Sequence, residues 1–121
     1  MSVIAGIGLR DSATVTELRE LLALAPAPVS GLATVQAKSR HPALTALVAE
    51  TGLALHAIPP AALRAIATLT QSPDQIRRFG TGSLAEACAL VAAQPNANLH
   101  APRCISPSGR ATIAFAIRRS N

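Results

Sequence analysis

The chain alternates short apolar runs with amphipathic stretches, and the two periods separate strands from helices. Val3 to Leu9, VIAGIGL, reads as a buried strand running into a glycine turn. Thr14-Val15-Thr16-Glu17 follows as a capping box, in which the threonine hydroxyl accepts an amide three residues on and the glutamate reaches back. Leu18, Leu21, Leu22 and Ala25 then recur at helical spacing, and Pro26 and Pro28 stop that helix. Leu32 to Ala37 predicts a second strand ending at Lys38. Pro42 suits the first position of a helix with Leu44, Leu47 and Val48 on its core face and Gly52 as its left-handed cap. Leu53 to Ile58 is a third strand.

Pro59-Pro60 opens a further helix carrying Leu63, Ile66 and Ala67. Ser72-Pro73-Asp74-Gln75 is a second capping box, starting a short helix that Gly80 closes. Ser83-Leu84-Ala85-Glu86 is a third, with Leu84, Ala87, Cys88 and Val91 as its apolar stripe and Pro95 and Asn96 at its end. The tail holds two strands, NLHAP and ATIAFAI, around a turn at Ser106 to Gly109. The order β-α-β-α-β-α-α-α-β-β predicts an α/β fold. It is a single three-layer domain over residues 1–121 with a mixed, largely parallel sheet of about five strands. The last pair forms an antiparallel edge.

Composition sharpens this picture. Half of the residues are hydrophobic, which excludes a disordered chain. The chain has two Phe, no Trp and no Tyr, so its many Ala and Leu must fill the core by bringing elements close together. No apolar run approaches the roughly 20 residues of a membrane span, and no basic region precedes the N-terminal apolar run, so a cytoplasmic protein is expected. The net charge of +5 favours an anionic partner. Nucleic acid is disfavoured, because stacking Tyr and Trp are missing and the basic residues are scattered. Cys88 and Cys104 are far apart and read as unpaired thiols, while His41, His56 and His100 show no metal-ligand spacing. No metal and no cofactor are expected. The six acidic residues form no recognisable acid–base pair, so no catalytic residue is assigned.

Two glycine turns draw attention. Gly6-Ile7-Gly8-Leu9-Arg10 joins strand to helix as a dinucleotide fingerprint does, but Asp11 stands where the third glycine belongs and Lys38 where an acidic residue should close the second strand. Gly80-Thr81-Gly82-Ser83 lacks the Gly-Lys-Ser/Thr ending of a phosphate loop. Two readings remain for it. Either its amides receive an anion at a helix start, or Gly80 merely ends one helix and Ser83 caps the next. Arg10 and Lys38 sit just past predicted strand ends, where ligands of open α/β sheets lie, and Arg103 is a third candidate for that edge. Three cations there would suit a ligand with several carboxylates; the alternative is that each is a solvated surface charge.

GIGLR after the first strand, Lys38 closing the second, Ser72-Pro73, GTGSLAEACAL and the final Pro102-Arg103 with GRATIAFA together resemble the CobE family of cobalamin biosynthesis, homologous to the C-terminal domain of CbiG proteins. The resemblance spans nearly the whole chain. It implies a role with corrin-ring precursors, polycarboxylate tetrapyrroles, through binding or handing on a precorrin intermediate in the aerobic pathway, with other enzymes of that pathway as further partners. CbiG proteins open a lactone on a cobalt-precorrin, so the alternative it implies is a hydrolase; a basic nucleic-acid-binding module ranks last. Carried over, the ligand-binding residues are Gly8, Arg10, Lys38, Gly80, Thr81, Gly82, Ser83 and Arg103. Ile105 stands where the family commonly carries a second lysine before the last strand.

Overall fold

A computed structural model describes residues 2–64 and 66–119. In chain order the elements are β1 (Ser2–Leu9), α1 (Val15–Leu22), β2 (Val29–Val35), a 3-10 turn (Gln36–Lys38), α2 (Pro42–Thr51) and β3 (Ala54–Ile58). Then come α3 (Pro60–Leu63), α4 (Pro73–Phe79), α5 (Leu84–Ala93), β4 (Ala97–Leu99), β5 (Cys104–Ile105) and β6 (Ala111–Arg118). The sheet runs β3-β2-β1-β6-β4, with β5 also on β6. β1, β2 and β3 are parallel, and β6 is antiparallel to β1, β4 and β5. The α/β fold and its mixed sheet are as expected. Six strands replace about five because the outer edge of β6 is shared: Leu99 pairs with Ala116 and Cys104 with Ile113, the His100 amide still donates to the Phe115 carbonyl, and residues 101–103 leave the edge between them.

Side chains alternate across the sheet, so each strand serves two cores. Val3, Ala5, Ile7 and Leu9 of β1, with Ile113 and Phe115 of β6, pack under α1 and α2 through Leu18, Leu21, Leu44 and Leu47. Ile4, Ala33 and Ala116 face the opposite layer, where α5 presents Ala87, Cys88 and Ala89 and α3 presents Leu63. Each fully buried leucine contributes about 1.5–3 kcal/mol. The second core has few large side chains, and it closes because its elements approach closely. Gly6 is the tightest point. A Cβ there would overlap the Ala85 carbonyl oxygen and lie 2.7 Å from the Ala89 amide nitrogen. This glycine, placed at first sight in a nucleotide-like turn, is the seat of α5 on the sheet.

Three local expectations need correction. Residues 36–38 do not extend β2; they tighten into a turn in which the Ser39 amide and hydroxyl both donate to the Gln36 carbonyl. The helix from Pro60 ends at Leu63, leaving Ile66 and Ala67 beyond it. Segment 68–71 is instead drawn onto α5 by hydrogen bonds from Thr70, which local helical spacing does not reveal. Finally, only the Thr14–Glu17 capping box closes in both directions. Ser72 and Ser83 each cap their helix, but the third residues on, Gln75 and Glu86, send their side chains elsewhere.

Because α5 has no room to retreat from β1, Gly6→Ala is expected to destabilise the protein by about 2 kcal/mol or more, the cost of overpacking a tight core. Urea denaturation measures it, and a loss below about 0.5 kcal/mol, the range of neutral surface changes, would mean that α5 is not seated there.

Candidate functional site

The packing at Gly6 sets where α5 begins. Ala85, in its first turn, lies over Gly6, so the helix N-terminus looks out near the carboxyl end of β1, where Gly8 and Arg10 follow. Gly8 lies on the same face as Gly6; a Cβ on it would meet only the Thr112 hydroxyl, at 2.6 Å. The mouth between β1 and α5 is therefore open at Gly8.

The predicted cations fall into two groups. Past the ends of β1 and β2, Arg10 and Lys38 do reach the same edge, but Lys38 is already engaged. Its Nζ lies 2.7 Å from Asp11 Oδ1, an ion pair whose carboxylate is almost wholly exposed. The Lys38 hydrogen bond and charge hold the Asp11 carboxyl below the ordinary carboxylate range. His41 locks the turn. Its Nδ1 accepts the Ala43 amide at 3.0 Å, and its Nε2 lies 3.0 and 3.1 Å from the Arg10 and Asp11 carbonyl oxygens, which assigns the proton to Nε2. Arg103 stands apart from this pair. Cys104 is level with Ile7 across β6, so Arg103 sits at mid-strand height while Arg10 lies beyond the strand end.

Arg103 belongs instead with the Gly80–Ser83 turn, and Glu86 makes the connection. That carboxylate is completely buried and accepts the Arg103 amide at 2.8 Å, the Thr70 amide at 2.8 Å and the Thr70 hydroxyl at 2.5 Å. A buried carboxylate is tolerated where its lone pairs are filled this way. Glu86 is thus an anchor for two loops and not the reciprocal cap of Ser83. Ser83, also fully buried, accepts the Glu86 amide at 3.3 Å, and Gln75 Oε1 accepts the Leu84 amide at 2.7 Å. Gly82 is pressed against the same loop: its carbonyl accepts the Ser72 amide, and a Cβ on it would overlap the Thr70 carbonyl. Gly82 therefore serves close packing of protein on protein.

Two features of the turn are left over. The Thr81 hydroxyl is 4% exposed and, among the described residues, is the buried side-chain oxygen without a hydrogen-bond partner. Gly80, at φ +73°, caps α4 and lies against the stem of Arg64; a Cβ on it would be 3.3 Å from Arg64 Cγ and 3.8 Å from Nε. Arg64 and Thr70 were not singled out from the sequence, whereas Gln75 was named there in a capping box and His41, which precedes Pro42, does cap its helix. The first two lie far from their partners in the chain or carry no motif. Among the described residues no three His, Cys, Asp or Glu lie close enough to hold a metal. Burial in the core pushes the Cys88 thiol up to about 12, leaving it unreactive.

The fold and this mouth define a small α/β domain of the kind that receives a ligand at the carboxyl ends of its parallel strands, beside a helix N-terminus. The chain belongs to the cobalamin synthesis G C-terminus family, whose model matches residues 3–116. It is a cobalamin biosynthesis protein similar to CobE and CbiG. The crystal structure of CobE, a protein from the cobalamin biosynthetic pathway, matches with a TM-score of 0.84 and 30% identity over 95% of this chain and 89% of that one. The cobalamin biosynthesis protein chiG from Agrobacterium tumefaciens str. C58 matches with a TM-score of 0.76 and 30% identity over 98% and 99% of the two chains. A cobalamin biosynthesis protein G homolog from Sulfolobus solfataricus shares the fold at a TM-score of 0.71 and 17% identity, over 98% of this chain and 37% of that one. No curated protein matches. No helix of the described residues is long and apolar enough to cross a membrane.

Two outcomes follow, one for Glu86 beside the mouth and one for the carboxylates on the rest of the surface. Glu86→Ala strands the Thr70 and Arg103 amides and is expected to cost about 3 kcal/mol or more, at about 1–3 kcal/mol per unpaired buried group. Glu86→Gln, which keeps an acceptor oxygen, should cost less; chemical denaturation ranks them, and equal losses would contradict the anchoring role. Glu17 is held below the ordinary glutamate range by the Ser108 hydroxyl first, and also by the Thr14 amide and hydroxyl. Asp11 and Glu50 are lowered too, by Lys38 and Arg19. Carboxyls lowered on folding stabilise fully above their unfolded values and lose that contribution as pH falls through the folded ones. The melting temperature should thus be insensitive to these groups above about pH 5 and drop below about pH 4. Glu17→Gln should melt lower at pH 7 and show a shallower acid loss; an unchanged acid slope would remove Glu17 from the account.

Proposed function

We propose that the chain binds a corrin-ring precursor and hands it on to other enzymes of the cytoplasmic cobalamin pathway, without breaking a bond itself. The observation that carries this reading is the mouth beside α5: an open strand end at Gly8, the cation Arg10 past it, and a helix N-terminus whose preceding turn holds a buried hydroxyl with no protein partner. Precursors of the corrin ring are flat macrocycles edged with acetate and propionate groups, and such an edge suits amides and guanidinium groups. Membership in the cobalamin family supports this choice of anion over a phosphate. Within that mouth we assign Gly8, Arg10, Gly80, Thr81 and Ser83 to ligand contact or to shaping it; Lys38 joins on release from Asp11, and Arg103 lines the far side of the turn.

A lactone hydrolase is the second reading. Ser83 and Glu86, the pair of the turn that could supply a nucleophile and a base, are both committed: Ser83 accepts a helix amide, and Glu86 accepts three hydrogen bonds. This commitment ranks binding above hydrolysis.

Titration of the purified protein with hydrogenobyrinic acid is expected to shift the absorption spectrum of the macrocycle and to co-elute it with the protein, with a Kd of tens of micromolar or tighter, about 6 kcal/mol of binding. No association at that level would overturn the proposal. Release of a two-carbon product from a lactone-bearing precursor would replace it with the hydrolase.

A further inference from the structure

We propose that Arg64 is the cation that fixes one ligand carboxylate at the N-terminus of α5, with the Thr81 hydroxyl as its hydrogen-bond donor partner. This rests on the binding reading above and names residues for it that the motifs do not contain. Three independent observations converge on the place. First, the Thr81 hydroxyl is nine-tenths buried and has no partner among the described residues, a costly condition that native proteins rarely leave unexplained. Second, it stands two residues before the N-cap of a ten-residue helix, whose positive end favours an anion. The Leu84 and Glu86 amides of that helix are already taken by Gln75 and Ser83, so the amides alone make an incomplete anion site. Third, the stem of Arg64 lies along Gly80, the residue preceding Thr81, while its side chain forms no ion pair or hydrogen bond among the described residues.

The neighbouring charges favour Arg64 over the alternatives. Lys38 has Asp11 as a counter-ion, and Arg77 and Arg78 have Asp74. Arg64 follows α3, which itself follows β3, so it reaches the turn from the carboxyl edge of the parallel strands, the side on which the ligand enters. The Gly80 position also explains why no side chain intervenes: a Cβ would crowd Arg64 Cγ at 3.3 Å and strain the positive φ. A guanidinium presents a planar pair of donors to a carboxylate, which a lysine cannot reproduce.

The test is titration with hydrogenobyrinic acid of the wild type, Arg64→Ala, Arg64→Lys and Thr81→Val, each also melted without ligand. Arg64 is exposed, so its variants should melt like the wild type. Arg64→Ala should weaken binding about five- to tenfold, the scale of one charge-assisted contact, with partial recovery in Arg64→Lys. Thr81→Val removes an unpaired buried hydroxyl at constant shape, so it should weaken binding while melting no lower than the wild type. A lower melting temperature for Thr81→Val would show that the hydroxyl serves the fold, and would overturn its assignment. Wild-type affinity in Arg64→Ala would overturn the role of Arg64 and leave the binding reading intact. No binding by the wild type would overturn the binding reading itself, and this inference with it.

Discussion

The close contact of α5 with β1 at Gly6 is the constraint on which the rest of this structure depends. A helix normally stands off a sheet by the depth of two side chains. Here one side of the contact has none, and the other is formed by backbone atoms of Ala85 and Ala89. The contact fixes the height of α5 along the strand, and so the point at which its N-terminus emerges. Ser83, Gly82 and Gly80 take their positions from that point, and Glu86, one turn into the helix, fixes the loops on its other side. A core poor in aromatic residues is part of the same solution. Ala33, Ala87, Ala89 and Ala116 bring layers together without large side chains to fill space between them.

Glu86 shows how a buried charge can hold loops where hydrophobic contact is scarce. Segment 68–71 and the approach to β5 have little apolar surface to bury, and Leu69 is largely exposed. Their backbone amides converge on one carboxylate instead. Removing such a group is costly because its donors are left unpaired, even where the net value of the buried charge is small. The turn that precedes α5 is thereby braced from both sides, by Glu86 and Thr70 on one and by Gln75 on the other. Such bracing holds the amides of the turn in place and limits how many of them remain without a protein partner.

Periodicity made most elements legible: β1, α1, α2, β3, α5 and β6 carry apolar spacing and end signals that act within a few residues. The failures share a cause, which is that a tertiary partner outweighed a local one. Thr-x-x-Glu and Ser-x-x-Glu look alike on paper, yet Glu17 turns back to Thr14 while Glu86 finds Thr70 and Arg103. The apolar residues Ile66 and Ala67 suggested more helix, but Thr70 draws the chain away. Of the site, the resemblance carried the turn and the strand end. The pairing of Lys38 with Asp11 and the approach of Arg64 to Gly80 join residues 27 and 16 apart in the chain, and no spacing rule connects them.

The two groups of cations differ in what an incoming anion must displace. At the β1–β2 edge, Lys38 becomes available only if the ligand takes the place of Asp11, and the exposed carboxylate of Asp11 can then be hydrated at little cost. At the turn before α5, the Arg64 guanidinium and the Thr81 hydroxyl have no partner among the described residues to give up. A carboxylate is therefore better received first at the turn, where every contact is a gain, and only then at Lys38, where a contact is exchanged. A polyacid with carboxylates spaced around a rigid ring could engage both, and the second contact would be intramolecular and so cost less entropy than the first. On the proposed binding reading, this distribution of charge favours a large, multiply charged ligand over a small one.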